Sequence, residues 1–362
     1  MSQGRHQFID RGREEELQEL LHRRLLVLDG AMGTMLQARN LKAADFGGED
    51  LEGCNENLVL SRPDVIAAVH ETYFAAGADI VETNTFGAIR HVLAEYGLET
   101  KVREINKKAC ELARAAAAKH ATKDKPRFVA GSLGPGTKAI SVTGGITYDE
   151  VLESYREATT GLLDGGADLV LLETQQDTIN IKASINGVYT AFRDANRSIP
   201  VILSVSIETM GTMLGGQDIA ALADAVAHFN LLAIGMNCAT GPDFMTDHLR
   251  TLSSLTRAFT ICYPNAGLPD ENGVYNESPS MVAKKVGRFA DEGWVNIIGG
   301  CCGTTPEHIN LMAAVVAGKP PRRAHKPRRS SVSGMESLPL DEDRRPLIVG
   351  ERTNVIGSRN FK

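Results

Sequence analysis

No stretch of the sequence approaches the ~18 consecutive apolar residues that a membrane span needs. The N-terminal run "MSQGRHQFIDRGREEELQELLHRR" also lacks the apolar core of a secretory signal. Neither a transmembrane anchor nor a cleaved leader is expected, and this run reads as a polar start followed by a charged helix. Basic charge is in deficit: 39 Lys and Arg stand against 45 Asp and Glu, a formal net charge of −6. No global field would gather phosphates, which argues against nucleic acid as the main partner. Six cysteines in 362 residues are too few for a disulfide scaffold. A reduced, cytoplasmic protein is expected, and there clustered cysteines point to a metal or to catalysis.

The chain is 43% hydrophobic and 23% charged, enough to bury a sizeable core. Near-continuous Val/Ile/Leu runs predict strands over 25–30, 78–83, 127–132, 167–174, 200–206, 231–238, 259–265 and 294–300. Helical periodicity follows each run, as in "KVREINKKACELARAAAAKHA" and "YDEVLESYREATTGLLDGG". The paired "GADIVET" and "GADLVLLET" suggest repeated βα units with Gly as helix C-cap. Eight such units over roughly 300 residues fit an α/β fold of the (β/α)8 TIM-barrel type better than an open doubly wound sheet. In a barrel the site lies where the strands end.

The eighth run ends in "GGCCGTTPEHI", placing Cys301 and Cys302 side by side, and Cys238 in "GMNCATGP" closes the sixth. Adjacent cysteines bridge one another poorly, but flanking glycines let both turn toward one metal ion. Three thiolates suit Zn2+, and three protein ligands with one open position is the catalytic pattern. Asn265 in "YPNAGLP" could fill that position through its carbonyl oxygen. Such a unit carries a formal charge of −1, so it polarises carbonyls poorly but keeps an incoming thiol deprotonated and nucleophilic. Alkyl transfer to sulfur is the natural chemistry. The bland alternatives are buried cysteines acting as small apolar residues and a phosphate-binding loop after strand eight. Cys262 is expected to face the barrel wall or a helix, Cys54 lies in the first long loop, and Cys110 lies in a helix. Asp29, Glu82 and Glu173 end strands one, two and four, where carboxylates could hold an α-ammonium group; N-capping or rim solvation is the plainer reading. "GSLGPG" offers backbone N–H groups for a carboxylate. Thr305, Pro306 and Glu307 read as a helix start, with His308 part of it rather than a ligand.

The ordered set "LDGAMGTML", "ETNTF", "GSLGP", "LLET", "GMNC", "YPNAGLP" and "GGCCGTTPEHI" resembles the homocysteine S-methyltransferase family over about residues 15–318. The resemblance implies a zinc-dependent barrel that methylates homocysteine to methionine. Cys238, Cys301 and Cys302 would be zinc ligands and catalytic through the metal. Asp29 and Glu173, with Glu82, would hold the amino-acid end, and Asn265 would lie beside the metal. The tail "PLIVGERTNVIGSRNFK" resembles the opening strand of the pterin-binding barrel in multi-module, cobalamin-dependent members, with Glu351 and Asn354 matching its folate-facing motif. A cobalamin-ligating D-x-H-x-x-G motif does not occur. The resemblance implies methylcobalamin as donor, carried by a module absent from this chain, with a folate-binding module as a further partner. Betaine or S-methylmethionine is the alternative donor. A structural zinc assembly module or a thiol–disulfide switch is the alternative role. The expected organisation is a polar arm over 1–14, the barrel over 15–318, a Pro- and charge-rich solvated tether over 319–345, and a stub of the next domain over 346–362.

Overall fold

The near-continuous apolar runs become strands because both of their faces are covered. Alternate side chains such as Leu26, Ile80, Phe128, Leu169, Ile202 and Ile297 form one buried cluster. Their neighbours Val27, Val81, Val129, Val170, Leu203 and Ile298 belong to a second one, shared with the helices. In this computed structural model, which describes residues 11–324 and 330–346, eight strands result. They are β1 (Leu26–Val27), β2 (Ile80–Glu82), β3 (Phe128–Leu133), β4 (Leu169–Gln175), β5 (Val201–Val205), β6 (Ala233–Asn237), β7 (Phe259–Tyr263) and β8 (Ile297–Ile298). All pair in parallel, in the order β1-β8-β7-β6-β5-β4-β3-β2. A parallel bridge between Leu28 and Ile80 closes the ring, giving the (β/α)8 barrel that the spacing predicts.

The principal helices are α1 (Arg11–Arg23), α2 (Pro63–Ala76), α3 (Val102–His120), α4 (Tyr148–Gly165), α5 (Thr178–Ala195), α6 (Ile219–Val226), α7 (Pro242–Leu255), α8 (Pro279–Asp291) and α9 (Pro306–Val316). Helices α2 to α9 each follow one strand, while α1 precedes β1. Leu17, Leu20 and Leu21 of α1 join the interior cluster, so the helix plugs the end of the barrel where the strands begin. No described helix is long and apolar enough to cross a membrane.

The two Gly-Ala-Asp echoes have a common physical basis. Gly77 (φ 115°) and Gly166 (φ 80°) end α2 and α4 in the left-handed conformation. The aspartate two residues on reaches across to the neighbouring strand. Asp79 accepts the Val27 N–H at 3.0 Å and Asp168 the Val129 N–H at 2.8 Å. Each carboxylate also meets an arginine, Arg24 at 2.8 Å and Arg13 at 3.1 Å.

Within 319–345, the segment that composition reads as a solvated tether, two parts are docked. The buried Arg322 guanidinium donates to the carbonyls of Ser253, Thr256 and Ala258 at the end of α7. A hairpin of β9 (Ser331–Ser333) and β10 (Ser337–Pro339) lies on α6, where Ser333 Oγ donates to the Ala221 carbonyl at 2.7 Å. The tail motif with Glu351 and Asn354 lies outside the described residues.

His70 of α2 is fully buried, and neither ring nitrogen has a partner among the described residues. Burial pulls its pKa down from 6.5 to about 4, so the folded protein holds it neutral. Between those values the unfolded chain binds the extra proton, and stability is lost as pH falls. The expected loss is about 2 kcal/mol at pH 5 relative to pH 8. His70→Leu should flatten the acid side of the stability curve in urea unfolding. An unchanged pH dependence would remove His70 from the account.

Candidate metal and substrate site

The site is built where β6 and β8 end. After Asn237, two consecutive residues adopt positive φ, Cys238 at 59° and Ala239 at 53°, which turns the chain at once and leaves the Cys238 thiol at the mouth. After β8, the double-cysteine turn is held by its own backbone. The Gly300 N–H donates to the Asp29 carbonyl at 3.0 Å, and the Cys301 N–H to the Pro264 carbonyl at 2.9 Å. The Cys302 N–H donates to Asn265 Oδ1 at 3.1 Å and the Gly303 N–H to Thr34 Oγ1 at 3.1 Å. Because all four N–H groups have internal acceptors, this loop offers a phosphate nothing to bind, and the phosphate-loop alternative falls away.

The three thiols are what the turn presents. Cys238 Sγ lies 3.9 Å from Cys302 Sγ, which lies 4.0 Å from Cys301 Sγ, and all three sulfurs fall within 4.8 Å of one another. They are free thiols, far beyond the ~2.05 Å of a disulfide. Tetrahedral coordination at ~2.3 Å per sulfur sets sulfurs about 3.8 Å apart, so the donor set fits a zinc ion. No other group of His, Cys, Asp and Glu among the described residues is arranged to hold a metal. Without a metal, Cys302 is held well below the usual thiol range by hydrogen bonds from Cys238 and Cys301, and Cys301 is pushed up by Cys238, by Cys302 and by burial.

The remaining cysteines are elsewhere. Cys262 is buried against Met245 on the helix side of β7, as the sequence predicts, and Cys54 and Cys110 are buried. His308 also has the expected place: its Nδ1 meets the Thr305 N–H at 3.1 Å at the start of α9.

The three carboxylates converge on the same mouth. Asp29 accepts the Glu82 N–H at 3.1 Å, and Glu173 accepts the Ser132 hydroxyl. Asp29 and Glu173 are buried and Glu82 half-buried. Burial, then the neighbouring carboxylates, raises Asp29 and Glu82 well above the usual range. Burial, then Cys302, raises Glu173 to about 7. Glu82 Oε1 is buried with no hydrogen-bond partner among the described residues. In "GSLGPG" the Gly134 N–H is already given to the Phe86 carbonyl at 2.8 Å.

One residue of the site escaped the sequence reading. Asn237, fully buried beside Cys238, accepts from the Thr174 N–H at 3.0 Å and Ser204 Oγ at 2.6 Å. It donates through Nδ2 to Thr174 Oγ1 at 2.7 Å and to Cys301 Sγ at 3.8 Å. Its place in "GMNC" was the available signal.

Residues 26–316 match the family model described as homocysteine S-methyltransferase. The chain is 43% identical over 353 residues to a methionine synthase of Mycobacterium tuberculosis, and 44% identical over 358 residues to one of Mycobacterium leprae. In both cases 96% of this chain is covered but only 29% of the relative, so the chain spans less than a third of their length. The metallated crystal form of the homocysteine methyltransferase MmuM from Escherichia coli superposes with a TM-score of 0.68 at 25% identity, covering 83% of this chain and 99% of that one.

The electrostatics give a stability prediction. In the metal-free protein Glu173 is raised from 4.5 to about 7, so its folded form keeps a proton that the unfolded chain releases. Stability is therefore lost as pH rises through about 7. Glu173→Gln should raise stability by about 2–3 kcal/mol at pH 8 and by much less at pH 5. Equal effects at the two pH values, in denaturant melts of chelated protein, would contradict this.

Proposed function

Since this chain belongs to the homocysteine S-methyltransferase family, we propose that its barrel holds a zinc ion through Cys238, Cys301 and Cys302 and methylates homocysteine at that centre. The reaction class, methyl transfer by a methyltransferase, follows from the family. The observation that carries the metal is the sulfur triad, with neighbouring separations of 3.9 and 4.0 Å. Zinc in such a cage supplies acidification of the substrate thiol, keeping it as a thiolate at neutral pH.

The chain's own residues account for the rest. Asp29, Glu82 and Glu173 form an anionic cradle for the substrate ammonium. Their raised pKa values mean that cation binding is coupled to proton release from these carboxyls, because a nearby positive charge favours the ionised form. The unpartnered Glu82 Oε1 is the acceptor with the most to gain. Asn237 Nδ2 donates to Cys301 Sγ and spreads thiolate charge. Asn265 acts by fixing the Cys302 N–H, which orients the double-cysteine turn.

For the donor, methylcobalamin on another module, remethylated from methyltetrahydrofolate, fits a chain that aligns along 96% of its length with methionine synthases more than three times as long. A small-molecule donor such as betaine or S-methylmethionine is the second reading. It is favoured by the likeness to MmuM, a homocysteine methyltransferase that this barrel covers almost completely. Methyl transfer from methylcobalamin but not from the small donors separates them. A structural zinc site would have a fourth protein ligand, and the group found here has three.

Zinc-edge X-ray absorption tests the central claim. Three sulfurs and one lighter atom should become four sulfurs on adding homocysteine, whereas an unchanged shell would make the zinc structural. Cys301→Ala and Cys302→Ala should each lose zinc and methyl transfer together. Full activity in either variant is incompatible with the proposal.

A further inference from the structure

The segments that follow β1 and β8 are bonded to one another along a seam. One side carries Asp29 and the other carries Cys301 and Cys302, so the seam joins the carboxylate part of the site to the thiol part. Two of its bonds are those of the double-cysteine turn, from the Gly300 N–H to the Asp29 carbonyl and from the Gly303 N–H to Thr34 Oγ1. Thr304 adds a bond in each direction. Its hydroxyl donates to the Cys301 carbonyl at 2.7 Å and accepts the Ala31 N–H at 3.3 Å. The hydroxyl of buried Tyr73, in α2, reaches the same two residues, lying 3.2 Å from the Ala31 carbonyl and 3.5 Å from that of Thr304.

Two glycines make room for this one side chain. A Cβ at Gly30 would stand 2.8 Å from Thr304 Oγ1, and one at Gly300 would overlap Thr304 Oγ1 and Cβ. Neither glycine has the positive φ that would call for it by backbone conformation. Both are bare because Thr304 enters there. The threonine itself is fully buried. Packing alone would be served by valine, which has the same shape. What threonine adds is a hydroxyl that bonds the Asp29 side of the seam and the cysteine side at once.

We propose that Thr304 is a positioning residue for the substrate, its hydroxyl holding the Asp29 carboxylate in register with the double-cysteine turn so that one molecule engages both. The proposal rests on the zinc and homocysteine reading above. A ligand anchored through its thiol at one end and its ammonium at the other gains from the second anchor only where the span between them is right. A misplacement of about 1 Å, even from a change remote from the chemistry, can cost about 100-fold. Asp29 is otherwise well fixed, because its side chain accepts the Glu82 N–H and its carbonyl the Gly300 N–H. Thr304 therefore sets where that unit stands relative to the sulfurs, not how Asp29 is folded.

Comparing homocysteine with γ-mercaptobutyrate, the same thiol acid without its ammonium, separates the two anchors. Each is titrated into cobalt(II)-loaded protein through the thiolate-to-cobalt charge-transfer band, with no turnover needed. Thr304→Val should still bind one cobalt per chain, weaken homocysteine about 10-fold or more, and leave γ-mercaptobutyrate unchanged. Thr304→Ser keeps the hydroxyl and should restore homocysteine binding. Should Thr304→Val not fold, Tyr73→Phe removes the other hydroxyl on Ala31 and Thr304 and carries the same expectation. Equal weakening of both thiols, or loss of cobalt from the folded variant, overturns the proposal, since the hydroxyl would then serve the cysteine turn alone. Undiminished homocysteine binding, or no recovery in Thr304→Ser, overturns it too. If the unsubstituted protein gives no homocysteine-dependent band, the metal and substrate reading itself fails, and this inference with it.

Discussion

Repulsion among like charges in a poorly solvated space is the constraint from which the site follows. Asp29, Glu82 and Glu173 share the barrel mouth with three thiols, and what sets their protonation is burial and one another. Such a set cannot ionise fully by itself, because each new negative charge raises the cost of the next. On the proposed reading, a dication among the sulfurs and an ammonium among the carboxylates would offset that repulsion at two separate places, and without them it remains a strain on the fold.

That strain has to be offset elsewhere, and the other end of the barrel is arranged to do so. There α1 inserts Leu17, Leu20 and Leu21 among the interior side chains, and Asp79 and Asp168 each join an arginine to the N–H of the second residue of a neighbouring strand. Arg322 adds three carbonyl contacts below α7. Stability is concentrated where the strands begin, while the ends carry positive-φ residues at Thr174 and Cys238. Thr174 is β-branched, so its φ of 54° is costly, yet Asn237 grips it by both N–H and hydroxyl. One asparagine thereby stabilises the irregular end of β4 and donates to Cys301.

The sequence made some of this readable and hid the rest, for physical reasons. Parallel strands buried on two faces need apolar residues at nearly every position, so all eight were visible as runs. The three cysteines were visible because strand ends converge in a closed barrel, and "GMNC" and "GGCC" stand at two of them. Asn237 was not, because its role depends on Thr174 and Ser204, on two other strands. The hairpin over 331–339 was hidden by its polarity: it is attached to α6 through serine hydroxyls and the Met335 carbonyl, not through an apolar face. Composition reports burial well and directed hydrogen bonds poorly.

The fit of the double cysteine to a metal rather than to a redox role can be argued from its backbone alone. A disulfide between neighbours needs the peptide between them to distort, and a bridge from Cys238 to Cys302 needs their sulfurs to close from 3.9 Å to bonding distance. Either movement pulls on a turn whose N–H groups are all engaged, one of them by the Asn265 side chain and one by the Asp29 backbone carbonyl. Closing such a bridge would loosen the contacts that also hold β1 and β7 at the mouth. A metal makes no such demand, since sulfurs already near 4 Å apart need only share an ion between them. The turn is therefore rigid at the spacing that coordination requires, and Gly300 and Gly303 are where that rigidity is reconciled with close packing against Thr304 and Tyr275.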